Sequence, residues 1–302
     1  MKKYIYFVIL ILLVIIIITN SFEIIESIKF SFDLCINSLF PSFIPFMLLS
    51  NFLISYNFTD ELSNIFYFLM KKFKVNKNSS IIFIMSIFSG TPSNAIYINT
   101  LVSNELINIE DAKNCLNFCH FINPIFILNT IGYNFLGSKN IGLKILIAHF
   151  ISAIIIGLFN KRKTNYFTNY KKRTNNKESF MNILKKSILN TSNNLLMILG
   201  TITFFIIVTT IIDNILNINN NLKFIYGIIE MTQGLKYLSL SNLNNNFKAL
   251  ISVFLISFGG ISIHLQVFNI LNNKKIRYIP YLFSRLLHAL LSCLILSILI
   301  IR

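Results

Sequence analysis

Two short polar stretches interrupt apolar parts of the sequence, EMTQG at 230–234 and SFGGISIHLQ at 257–266. A carboxylate at membrane depth is costly enough that it is usually paired, neutral or bound to something, which singles out Glu230. Two adjacent glycines indicate a helix that opens, and a bilayer tolerates an open backbone only where it faces protein or a wet cavity. The residues predicted to line a polar site for a small solute or ion are Glu230, Thr232, Gln233, Gly259, Gly260, His264 and Gln266.

The first half of the sequence contains two comparable stretches, SGTPSN at 89–94 and FCHFINP at 118–124. Glycine, proline and asparagine are turn formers, so the first of these is predicted to join two short helices in a hairpin. Helix ends that meet at a turn present unpaired N–H and C=O groups, which can bind ions or small polar molecules. The additional site residues predicted here are Ser89, Thr91, Ser93, Asn94, His120 and Asn123.

Each of these candidates also has a structural interpretation. Glu230 could pair inside the protein with Lys236 or Arg285, and we expect Arg285 to pair with Glu230 or with a lipid headgroup. The turn at 89–94 could be a tight turn buried in protein. A lone buried histidine is more often a hydrogen-bonded structural residue than a proton carrier.

Known catalytic motifs are missing from the sequence. It contains no phosphate-binding GxxxxGKS/T, no HExxH and no GxSxG, and no serine or cysteine nucleophile has a base nearby in sequence. We therefore predict that the protein is not an enzyme, with an intramembrane hydrolase built from spatial neighbours as the alternative. Cys115, Cys119 and His120 adjoin one helical face, but a metal ion needs a fuller set of ligands, so no metal and no cofactor are predicted.

The elements that hold these residues are predicted to be membrane-spanning helices. The 302-residue chain is 54% hydrophobic and 13% charged, and its long apolar runs match the roughly 20 residues that a helix needs to cross hydrocarbon. Stretches such as 4–18 and 195–212 are apolar on every side, unlike the helices of a soluble core. The composition therefore predicts an all-α polytopic membrane protein.

The net charge of +16 is concentrated in clusters beside the predicted spans, notably at 71–77 and 161–186. Such clusters are retained on the cytoplasmic side and lie against anionic lipid headgroups. The second cluster lacks a base-reading motif, so no nucleic-acid partner is predicted. The first segment has a basic start and no small-residue cleavage site, so we expect a membrane anchor with a cytoplasmic N-terminus.

The order of a crossing helix, a broken hairpin, an interrupted helix and a plain helix occurs twice in the sequence. Placing the basic segments in the cytoplasm gives the two halves opposite senses, so the two re-entrant hairpins enter from opposite sides. This is the inverted-repeat arrangement of secondary transporters, in which broken helices meet near the midplane. The predicted units are an N-terminal membrane anchor at 1–29, a first repeat at 30–160, a basic cytoplasmic loop at 161–187 and a second repeat at 188–302.

Six motifs, spread over about residues 35–300, carry a resemblance to a known family. They are LFPSFIPFMLLSNFL, SGTPSNA followed by INIEDAKNCLNFC, NPIFILNTIGYNFLGSKNIG, GIIEMTQGLKYLS, SFGGISIHLQVFNIL and YLFSRLLHALLS. In this order they resemble the YlbJ family of sporulation integral membrane proteins, which carry two nucleoside-recognition, or Gate, domains.

The resemblance implies a role in endospore formation, particularly in making the spore cortex, and kinship with the gate portions of nucleoside carriers and ferrous-iron transporters. It implies no particular transported substrate. The resulting prediction is a transporter-like protein of the sporulating cell's membrane that handles a small polar solute or ion. The alternative is a non-transporting scaffold that recruits cortex-assembly enzymes through the basic loop.

Overall fold

A computed structural model describes residues 2–56, 58–159, 179–271 and 275–301, and the secondary structure of these residues is helical throughout. Five helical stretches in this part of the chain are long and apolar enough to cross a bilayer. They are Ser21–Ser55, Lys139–Leu158, Phe180–Leu216, Asn245–Ile270 and Tyr278–Ile301. The predicted all-α architecture with several membrane spans is confirmed.

The first helices follow one another with almost no interruption. They are α1 (Lys2–Thr19), α2 (Ser21–Leu34), a π-helical segment (Cys35–Leu39) and α3 (Phe40–Ser55). Because Pro41 has no N–H, it cannot donate the next helical hydrogen bond, and the wider π turn lies just before it. The predicted boundary between residues 29 and 30 falls inside α2, a continuous helix whose charged residues Glu23, Glu26 and Lys29 are exposed.

The first hairpin has the predicted break. It follows two short helices, and the elements are α4 (Thr59–Ile65), α5 (Tyr67–Phe73), α6 (Ser80–Ser89) and α7 (Ser93–Ser103). Each arm of the hairpin is too short to cross hydrocarbon, since α6 has 10 residues and rises only about 15 Å. The backbone turns at Gly90, where φ is +74°. Asn94, predicted within the turn, lies instead in the first turn of α7.

The next element is interrupted as predicted, and a plain helix follows it. The elements are α8 (Ile109–Phe118), a non-helical segment over 119–123, a π-helical segment (Phe126–Phe135) and α9 (Lys139–Leu158). Asn108 begins α8 by accepting a hydrogen bond from the backbone N–H of Asp111 at 2.7 Å. Ser138 caps the start of α9 in the same way.

The second half repeats this order of elements. It contains α10 (Phe180–Leu216), a 3₁₀ segment (Lys223–Ile228), α11 (Met231–Leu240), α12 (Asn245–Phe258), α13 (Gly260–Ile270) and α14 (Tyr278–Ile301). The opened helix is confirmed at Gly259, where φ is +92°. Within the predicted basic loop, residues 161–178 lie outside the described part of the chain. The end of that loop is helical, because Ser179 caps α10 earlier than the predicted start at 188.

The two halves pack against each other in the interior. Helix α9 of the first half contacts α12 and α14 of the second half, and α7 contacts α13. These contacts bring the two broken helices and the two hairpins towards one region. The opposite orientation of the halves across a bilayer stays a prediction.

Candidate functional site

A small cavity lies where the broken elements of both halves meet. Its polar wall comes from Thr91 at the first hairpin turn, Glu230 and Thr232 at the second hairpin, and Gln266 in α13. The cavity volume is about 30 Å³, which is room for one or two water molecules. Apolar side chains, among them Phe43 of α3, complete the wall. The polar residues of this site are therefore up to 175 positions apart in sequence, from Thr91 to Gln266.

Glu230 is almost fully buried and begins α11 as its N-cap residue. Its carboxylate Oε2 accepts hydrogen bonds from Thr232 Oγ1 at 2.5 Å and from the backbone N–H of Gln233 at 2.7 Å. A carboxylate in this position also offsets the partial positive charge of the helix N-terminus. The structural alternative of an internal ion pair is not found, because neither Lys236 nor Arg285 forms a described ion pair with Glu230. The amine of Lys236 lies over the ring of Phe30, 3.7 Å from its centroid.

Arg285 is fully buried at the end of α8 instead of beside Glu230. Its guanidinium donates to the backbone carbonyl of Asn117 and, from Nη2, to Ser284 Oγ at 3.1 Å. Nη1 lies 3.2 Å from His288 Nδ1. The last carbonyls of a helix lack partners inside the helix and carry partial negative charge, so a buried cation is stabilised there.

Two glycines at the helix break allow close packing against the first half and against the second hairpin. A Cβ added to Gly259 would lie 2.9 Å from His120 Cε1, and one added to Gly260 would lie 3.1 Å from the backbone nitrogen of Met231. Both glycines have positive φ, which residues with a side chain rarely adopt. The N–H of Ser262 then donates to the carbonyl of Ile229 at 2.9 Å, fixing α13 against the second hairpin.

Four polar groups near the breaks have no hydrogen-bond partner among the described atoms. They are Gln266 Oε1, Ser93 Oγ, Ser262 Oγ and His120 Nε2. Buried polar groups without partners are uncommon and are often explained by a ligand, an ion or water. Of these residues, Gln266 lines the cavity itself.

Two predicted site residues of the second half point elsewhere. Gln233 accepts a hydrogen bond from Thr209 of α10 and lies outside the cavity wall. His264 bonds through Nε2 with the carbonyl of Phe258 at 2.8 Å and through Nδ1 with Tyr278 Oη at 3.1 Å. The histidine thus satisfies the last carbonyl of α12, which the helix break would otherwise leave unpaired.

In the first half, Asn123 connects three elements of the fold. Its amide donates to the carbonyls of Ser42 and Phe88 at 2.9 and 2.8 Å, and its oxygen accepts from the N–H of Ile125. Thr91 lines the cavity and donates from Oγ1 to the carbonyl of Phe121 at 3.1 Å.

Ser89 and Asn94 are likewise occupied by internal hydrogen bonds. Ser89 Oγ donates to the carbonyl of Met85 and accepts from Tyr97 Oη, at 2.6 and 3.0 Å. The amide of Asn94 donates to the carbonyl of Cys119 at 3.0 Å. Ser89 thus joins the two arms of the first hairpin and Asn94 joins the hairpin to the interrupted segment, and neither residue lines the cavity.

A buried histidine network between the plain helices was missed at the level of sequence. His149 Nε2 accepts from the N–H of Ile122 at 3.0 Å, and Nδ1 lies 2.8 Å from Ser257 Oγ. His288 Nε2 donates to the carbonyl of His149 at 2.9 Å, and the two rings stack with centroids 4.7 Å apart. The sequence does contain a signal for this network, because each of the two plain helices has a histidine followed three or four residues later by a serine, in HFIS and in HALLS. Across the residues that the structure describes, no group of three or more His, Cys, Asp or Glu side chains is arranged to hold a metal ion.

Comparison with known proteins gives one informative similarity. No family model matches the chain, and no solved structure matches it significantly. The chain is similar to the sporulation integral membrane protein YlbJ of Bacillus subtilis (strain 168). The two are 23% identical in an alignment 299 residues long, and this alignment covers 86% of this chain and 73% of that protein. Together with the five apolar spans, this similarity makes the chain a multi-pass integral membrane protein. This similarity supports membership of the YlbJ family of sporulation integral membrane proteins.

Proposed function

We propose that the protein is a transporter-like membrane protein of the sporulating cell. It binds a small polar solute or ion in the cavity beside Glu230 and exposes that cavity alternately to the two sides of the membrane. The observation that carries this proposal is the meeting of two hairpins around a buried carboxylate inside an apolar wall. Sites of secondary transporters are built in this way, from broken helices of two halves.

The proposal includes an orientation for the chain. The N-terminus and the basic loop at 161–187 lie in the cytoplasm, where the loop contacts anionic lipid headgroups. The two halves are inverted repeats, which the recurring order of elements supports. No catalytic step is assigned to these residues, and no nucleic acid is a partner.

The biological setting follows from the YlbJ relative, whose name records sporulation. We propose a role in spore cortex formation, since the motifs of the sequence resemble a family with that role. A solute or ion moved across the membrane of the sporulating cell would then be needed for cortex assembly.

A substitution that preserves the helix cap separates a binding site from a structural role. Glu230→Gln keeps an oxygen that can accept the bonds from Thr232 and Gln233, but it removes the charge. Produced in an endospore-forming host in place of the native protein, this variant should be present at the normal level and fail to form cortex, as judged by heat-resistant spores and electron microscopy.

The matched control is Asp213→Asn. Asp213 is a largely buried carboxylate on α10 that bonds Lys223 and Tyr226 away from the cavity, so its loss should leave cortex formation intact. Deleting residues 163–177 tests the scaffold alternative. If Glu230→Gln sporulates normally and only the deletion blocks cortex formation, the transport proposal fails and the scaffold takes its place.

A further inference from the structure

The oxygen atoms around the cavity are available mainly as acceptors. Thr91 Oγ1 already donates its proton to the carbonyl of Phe121, and Thr232 Oγ1 donates to Glu230. A hydroxyl has one proton and two lone pairs, so what remains for the cavity is a pair of electron-rich oxygens. The carboxylate of Glu230 adds further lone pairs and a negative charge.

Gln266 supplies an independent sign of a ligand. Its side chain is 3% exposed and lines the cavity, and its Oε1 has no hydrogen-bond partner among the described atoms. A buried acceptor that loses its water without gaining a partner is destabilising. Either a donor or a cation in the cavity would satisfy it.

The size and the charge of the cavity restrict the chemical class of its ligand. A volume of about 30 Å³ excludes a nucleoside and other organic solutes of that size from the arrangement described. Oxygen ligands suit hard cations, whereas thiolates and imidazoles suit transition metals. A divalent cation such as magnesium or calcium would leave an unbalanced positive charge in a small, largely apolar wall that contains one carboxylate. Among the wall residues that the structure describes, Glu230 alone carries a carboxylate, so one positive charge balances it.

We propose that this cavity binds one monovalent metal cation, held by the oxygens of Glu230, Gln266, Thr91 and Thr232. The inference rests on the proposed function and names the class of ion that the site takes. The ion joins the turn of the first hairpin to the tip of the second and to α13, since its ligands come from all three. Sodium and potassium share this chemistry, and the experiment separates them.

The test uses the full-length protein, purified in detergent, and radioactive sodium or rubidium, the latter standing in for potassium. Binding is measured at constant ionic strength with choline as the replacing cation. Wild-type protein should bind one of the two ions saturably, with one ion per chain. Glu230→Gln should weaken this binding more than about tenfold, because it removes the charged ligand, and Gln266→Leu should weaken it several-fold. Asp213→Asn should bind as wild type does.

Gel filtration and circular dichroism establish that each variant remains folded. If Glu230→Gln does not, Gln266→Leu and Thr232→Val test the same site without removing the N-cap of α11. The inference is overturned if wild-type protein binds neither ion, if it takes up calcium in their place, or if every folded cavity variant binds as tightly as wild type.

The cation-binding test and the cortex-formation test can fail independently of each other. If the wild-type protein binds no cation and Glu230→Gln loses the cortex, the proposed cation site is refuted and the transport proposal stands. Cation binding together with normal cortex formation in Glu230→Gln would support the site and overturn the function.

Discussion

Substituting Gly260 by alanine tests whether the helix break is fixed by close backbone approach. A Cβ at this position would lie 3.1 Å from Met231 N, 3.2 Å from Gly227 O and 3.3 Å from Ile229 O. All three neighbours are backbone atoms of the second hairpin, so none can rotate away as a flexible side chain would. The residue also has a φ of +68°, which disfavours any side chain.

The expected loss of stability has two parts. Placing alanine at a positive φ costs about 1–2 kcal/mol, partly offset by about 0.4–1 kcal/mol because alanine restricts the unfolded chain. Displacing the three backbone atoms adds about 1–3 kcal/mol, the usual cost of overpacking. Gly260→Ala should therefore destabilise the protein by about 1–5 kcal/mol.

Two other glycines separate these contributions. Gly137 has a φ of +66° but open space where its Cβ would be, so Gly137→Ala should lose only about 1 kcal/mol. Gly200 lies exposed in α10 with no atom near its Cβ position, so Gly200→Ala should be neutral or stabilising by up to about 1 kcal/mol.

The assay is the fraction of protein that stays monodisperse on gel filtration after heating in detergent. The chain contains no tryptophan, so this readout does not depend on intrinsic tryptophan fluorescence. The melting midpoints should fall in the order Gly200→Ala, wild type, Gly137→Ala and Gly260→Ala. The reasoning is refuted if Gly260→Ala is as stable as Gly137→Ala, because the close approach would then contribute nothing.

Two further predictions concern the first hairpin and the orientation of the halves. Asn123→Leu leaves the carbonyls of Ser42 and Phe88 without their donor, at about 1–3 kcal/mol each, and should lower the melting midpoint in the same heating assay; an unchanged midpoint would contradict this account of Asn123. Asn104→Cys, after the first hairpin, and Asn220→Cys, before the second, are at exposed positions; in a background without the native cysteines, the two should react with a membrane-impermeant maleimide from opposite sides of the membrane. Reaction of both from the same side would contradict the inverted arrangement.

The breaks in the helices could be predicted from the sequence because their causes are local. A glycine that adopts positive φ, such as Gly90 or Gly259, needs no distant partner to end a helix. The same holds for the missing N–H of proline in SGTPSN and FCHFINP. The order of elements therefore followed from composition and turn residues, although several boundaries moved by a few residues where a cap such as Ser179 began a helix early.

The partners of buried charges could not be predicted in this way. Arg285 was expected to pair with Glu230 or with a lipid headgroup, yet Glu230 caps its own helix and Arg285 lies at the end of α8. An unpaired helix carbonyl can also accept a hydrogen bond from a guanidinium, and every helix end offers such carbonyls. Which end lies near Arg285 depends on tertiary packing, which the sequence pattern does not encode locally.

The contacts of the glycine pair place a physical constraint on the proposed alternation. Gly260 lies against Met231 within the second half, so α13 and the second hairpin can move together without opening that contact. Gly259 lies against His120 of the first half, and Thr91 and Gln266 share one cavity wall across the same boundary. Any opening between the halves that admits an ion must therefore separate Gly259 from His120. Because a well-packed contact is either made or broken, the site should have discrete closed and open states.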